Sequence, residues 1–155
     1  MSTDNLRKRV LTFYGLALLC LIASIPLSFL YDPLMTMAAI GIAVFIGGML
    51  FFSFASAMAR TIVDVYEEKP YQRGVFQYAG TINPSSFGLV AGIISMVVVV
   101  VSFSGIVDWE YMGVTFPIIF SIIWAITGVL AFVGGILARP LAKRKTRPDY
   151  EKRDL

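Results

Sequence analysis

At 155 residues the chain has one domain's length, yet 57% of it is apolar and only 15% charged, against roughly 45–50% and about 25% in soluble domains. Most of the charges fall in three blocks separated by long apolar stretches, more continuous apolar surface than a water-soluble core of this size can hide, so the expected solvent is lipid. A single cysteine, Cys20, excludes an internal disulfide, and the lack of any histidine removes the commonest haem, copper and zinc ligand and the commonest proton relay.

In chain order, Arg7, Lys8 and Arg9 precede a first uncharged segment from about Val10 to Tyr31. Its 22 residues, at about 1.5 Å each in a helix, are long enough for the hydrocarbon core. It is too long for a secretion-signal core and has no clean small-x-small cleavage site. The bulky Leu19 before Cys20 also argues against a lipoprotein anchor, so a retained helix is expected. Pro26 removes a backbone donor inside it and predicts a kink, read as packing rather than as a hinge. The second segment runs from about Leu34 to Ala59, and the helix-favouring RTIVDVYEEK after it predicts a cytoplasmic continuation to about Lys69, stopping at Pro70. Residues 70–86, with Tyr71, Phe76, Tyr78, Gly74, Gly80 and Pro84, are expected to be irregular and to lie along the headgroups.

The third segment is Phe87 to Val107. Its run Val97 to Val101 favours strand by propensity, but a lone strand would leave its backbone unsatisfied in hydrocarbon, and no barrel-like alternation is visible. The fourth spans about Val114 to Ala138, with Pro117 in its first turn, and a basic tail fills 139–155. All thirteen lysines and arginines lie in the N-terminal tail, the loop between segments two and three, or the C-terminal tail. The two short connections carry only Asp32, Asp108 and Glu110. The positive-inside rule therefore predicts two antiparallel hairpins with both termini in the cytoplasm.

Lipid gives helices no hydrophobic reason to associate, so close contact between small residues must hold them. Four-residue spacing supplies such stripes: Cys20, Ser24 and Ser28; Ala39, Ala43 and Gly47; Gly88 and Gly92; and Thr127, Ala131 and Gly135. They fit either a compact bundle or contacts with neighbouring subunits. The likeness of Phe45–Leu50 to Phe132–Leu137 is read as coincidence rather than duplication.

No Asp, Glu, Lys, Arg or His falls within the four spans, and such groups are the usual marks of ion pathways and coupled transport. Cys20 has no base near it in the pattern and is read as a small packing residue. Trp124 sits deep in the fourth span; its indole N–H is expected to bond a serine on a facing helix rather than a lipid, quinone or pigment. Asp108, Trp109, Glu110 and Tyr111 form an outer acidic-aromatic patch, read as an interfacial anchor with docking as the alternative. Lys143, Arg144, Lys145 and Arg147 form a juxtamembrane cluster expected to meet anionic lipid headgroups rather than nucleic acid.

The composite expectation is an all-α, single-domain, four-span protein of the plasma membrane, with no catalytic residues, cofactor or metal. Its expected role is that of an accessory subunit of a larger membrane complex, bound to other integral subunits and to lipid. The alternative is a homo-oligomeric channel or facilitator for a small neutral solute; a membrane-organising tetraspan protein ranks below both.

Overall fold

The computed structural model describes residues 3–30, 33–65, 82–106, 108, 110 and 118–143. Four long helices account for most of them: α1 (Thr3–Phe29), α2 (Pro33–Val65), α3 (Pro84–Phe103) and α4 (Ile118–Leu137), followed by the short α5 (Arg139–Lys143). No strand occurs among the described residues. All four long helices are long and apolar enough to cross a bilayer, which marks the chain as a multi-pass membrane protein.

Local chemistry sets the ends. The Asn83 side chain accepts a hydrogen bond from the Ser85 amide (3.0 Å), and Pro84 fills the first helical turn, where its missing N–H costs nothing. At the other end of α3, Ser104 caps and Gly105 takes a positive φ of 72°, a conformation that would strain a residue with a Cβ. α1 runs unbroken through Pro26 and begins at Thr3, so Arg7 to Arg9 belong to the helix rather than to a tail before it. α3 starts at Pro84, three residues before the expected span. The stretch from 66 to 81, the rest of the expected cytoplasmic helix and most of the headgroup segment, lies outside the described residues.

The buried face of each helix follows alternating steps of three and four. On α1 it is Arg7, Val10, Tyr14, Ala17, Leu21, Ser24 and Ser28; on α2 it is Thr36, Ala39, Ala43, Ile46, Leu50, Ser53 and Ala57. Ser85, Gly88, Gly92 and Ser95 continue the pattern on α3, and Phe120, Trp124, Thr127, Ala131, Gly134 and Ala138 on and just beyond α4. A 3.5-residue repeat is the seam of a left-handed bundle. α1 and α3 each pack against both α2 and α4, so α1 lies diagonally opposite α3. α3 and α4 form the most extensive pair, and α5 folds back mainly onto α3.

Candidate functional site

Two regions stand out: the interior, where hydroxyls and glycines share the core with aliphatic and aromatic side chains, and a groove on the outside of the α3–α4 pair.

Tyr14 is fully buried in the interior. This side chain reaches from α1 across the bundle, and its hydroxyl donates to the Pro84 carbonyl (2.5 Å). Beside it, the Ser85 hydroxyl donates to the Gly135 carbonyl (2.7 Å), so two bonds tie α1, α3 and α4 together. Glycine makes the room. A Cβ on Gly88 would fall on the Tyr14 ring, and one on Gly134 would come within 2.9 Å of it. Further along, α3 and α4 touch backbone to backbone: a Cβ on Gly92 would stand 2.8 Å from the Phe132 amide nitrogen, and one on Gly135 2.7 Å from that of Leu89.

The remaining interior hydroxyls mostly bond their own helices. Ser24 donates to the Leu21 carbonyl, Ser28 to that of Ile25, Ser53 to Met49, Ser95 to Ala91 and Thr127 to Ile123. Such back-bonding satisfies a polar group in a dry setting without a partner helix. Trp124 lies among them, 1% exposed, its ring 5.5 Å from that of Phe120. The expected bond from its indole N–H to a serine is not made: the N–H meets no acceptor among the described residues. The indole's bulk, rather than its donor, fills the space.

Of the expected packing residues, Ser24, Ser28, Ala39, Ala43, Gly88, Gly92, Thr127, Ala131 and Gly135 are buried, whereas Cys20 and Gly47 are half-buried. A step of four residues advances 400°, so a strict i, i+4, i+8 stripe drifts about 40° per step away from a straight seam. Steps of three and four alternate to cancel that drift. Leu21 and Ile46 accordingly hold the seam positions that Cys20 and Gly47 miss. The Gly-Gly pairs of the two resembling segments sit differently as well: a Cβ on Gly48 would meet nothing within 4 Å, while Gly134 and Gly135 are hemmed in. Tyr14, Ser85 and Gly134 lie outside the four-residue stripes but on the alternating three–four seam, and Gly128 lies beside that seam against Gly92.

Arg7 is the one charged residue on the buried seam among the described residues, 4% exposed, with Asp4 at 3.6 Å. Its place near the start of α1 puts it at an end of the bundle, where its long stem packs along the seam. Asp108 and Glu110 are exposed; Trp109 and Tyr111 lie outside the described residues, as do Arg144, Lys145 and Arg147, while Lys143 ends α5. No group of three His, Cys, Asp or Glu side chains gathers among the described residues.

The outer groove runs between α3 and α4. Gly92, Ile93, Met96, Val97, Val100, Val101, Val129, Phe132 and Val133 line a volume of about 440 Å³. Each lining side chain is hydrocarbon or thioether, so the groove offers shape without hydrogen bonds.

Comparison with protein-family models, with curated proteins and with solved structures finds no match.

Proposed function

We propose that this chain is a non-catalytic accessory subunit of a larger integral membrane complex, built as two antiparallel helical hairpins with both termini in the cytoplasm. Register supports the hairpins. Gly15 lies opposite Phe54 while Leu21 lies opposite Gly47, and Leu89 lies opposite Gly135 while Met96 lies opposite Gly128. In both pairs position rises along one helix as it falls along the other. The one-sided distribution of lysine and arginine supports the cytoplasmic termini.

The observation that carries the accessory role is the division between inside and outside. Small and hydroxylated residues are consumed in holding the bundle together, and large side chains (Tyr14, Ile46, Leu50, Trp124) fill its axis. What remains for other molecules is a rigid apolar exterior, including the exposed Phe45, Phe51 and Phe52 on α2. Such a surface can position a neighbouring helix but cannot move protons or bind metal. Gentle extraction from native membranes followed by affinity purification tests this: stoichiometric integral partners are expected, and migration as a lone 17.1 kDa monomer would overturn it.

One observation favours a second reading, a homo-oligomeric facilitator for a small neutral solute: the number of buried hydroxyls, among them Ser24, Ser28, Ser53, Ser56, Ser95 and Thr127. Under that reading, purified protein alone raises solute permeability in liposomes. Under the accessory reading it leaves permeability unchanged.

A further inference from the structure

We propose that the groove between α3 and α4 holds one acyl chain of an outer-leaflet phospholipid whose headgroup carries an amine. The leaflet assignment rests on the topology proposed above; the choice of an acyl chain does not.

Three features of the groove select a chain over a helix. Helices come closest together in membranes over small residues, which let their backbones approach. Here Gly92, Gly128 and Gly135 are spent on the α3–α4 contact itself. The rims facing outward are bulky: Val97 is 52% exposed, Val100 65% and Val129 48%. A second helix would ride on these rims, whereas a single flexible chain can lie between them. The walls are also preformed, because valine has little χ1 freedom and the α3 and α4 backbones already lie close together at Gly92.

Length and charge identify the lipid further. From Gly92 to Val101 the groove follows nine helical steps, roughly 14 Å at 1.5 Å per residue, or about half of a 30 Å hydrocarbon core. One leaflet's chain fits that span. Seven residues beyond Val101 the chain reaches the exposed carboxylates of Asp108 and Glu110, and the sequence places no lysine or arginine in that connection. Their charge attracts an ammonium headgroup and repels an anionic one.

The experiment is native mass spectrometry of the delipidated full-length protein, titrated with palmitoyl-oleoyl phosphatidylethanolamine or with the matching phosphatidylglycerol. The wild type is expected to take up one phosphatidylethanolamine ahead of any other lipid and to hold it about threefold more tightly than phosphatidylglycerol, as exposed charges dictate. Val100→Trp, which fills the groove from the α3 wall, weakens that uptake about tenfold through the loss of some ten close carbon contacts. Val129→Phe does the same from α4, and circular dichroism and elution volume establish that each variant is folded. Asp108→Asn with Glu110→Gln removes the headgroup preference and leaves chain uptake intact. Unchanged uptake in both groove variants, or tighter binding of phosphatidylglycerol by the wild type, overturns the proposal. So does loss of a co-purifying protein on Val100→Trp, because the groove would then be a protein interface. The accessory reading is judged separately, by whether the wild type has partners at all.

Discussion

A methyl group at Gly92 would press on the Phe132 amide and on the Gly128 carbonyl oxygen, 2.8 and 2.9 Å away, and neither is the end of a flexible side chain. Relief requires α3 and α4 to separate, so Gly92→Ala is expected to destabilise the bundle by about 1–3 kcal/mol. Gly48→Ala is the control. Nothing lies within 4 Å of the added carbon, and alanine's better helix propensity makes that change neutral or stabilising by up to about 1 kcal/mol. Reversible unfolding in mixed micelles measures both, and equal effects would contradict the close approach. Tyr14→Phe removes the donor to the Pro84 carbonyl. It should cost about 0.6 kcal/mol, the average for such bonds between membrane helices, and at most about 1.7. Trp124 behaves differently. Its N–H bonds to nothing among the described residues, so Trp124→Phe loses volume but also removes a buried unsatisfied donor, and the two effects partly offset. Trp124→Ala has no such compensation and should cost about 3–5 kcal/mol. The depth of Trp124 was readable in the sequence. The fate of its N–H was not, because whether a serine oxygen on a facing helix comes within reach of one donor depends on helix rotation and depth, which the spacing of letters does not give.

At the level of the helices, the existence and approximate places of four apolar elements were legible because length and lack of charge leave few alternatives in lipid. Their ends were less so. α1 begins seven residues before the uncharged stretch, since a helix does not stop where hydropathy does, and Arg7 and Val10 are successive positions on one seam. The burial pattern was half legible. Small residues four apart include Ala39 and Ala43, both buried, but the next seam position is Ile46 rather than Gly47. A strict four-residue step loses the seam after two turns, and no small-residue rule selects an isoleucine. Paired substitutions on α2 test the seam. Ile46 is fully buried and Val44 is 68% exposed, so Ile46→Ala should cost about 2–3 kcal/mol while Val44→Ala stays within about 0.5. Similar costs at the two positions would mean that the face turned inward is not the 3–4 seam.

For the molecule as a whole, the proposed arrangement puts every lysine and arginine on one side of the membrane and Asp32, Asp108 and Glu110 on the other. The physical basis is asymmetric: cationic loops are held in the cytoplasm during insertion, while short connections without them cross freely. A single native cysteine makes this directly measurable. Cys20 is half-buried within α1, and Cys20→Ala at a small, unbonded position should leave the fold intact and remove the only thiol. New thiols at Ser2→Cys, Gln72→Cys and Asp154→Cys are then expected to resist a membrane-impermeant maleimide applied to intact cells, and to react once the membrane is opened. Glu110→Cys should react in intact cells. Because seven of the thirteen cations lie after Ala138, the C-terminal block should dominate: neutralising Arg7, Lys8 and Arg9 together is expected to leave the labelling pattern unchanged. If Ser2→Cys and Asp154→Cys are reached from opposite sides, the number of crossings is odd. The paired hairpins would then be impossible, and the outer-leaflet assignment of the groove would fail with them.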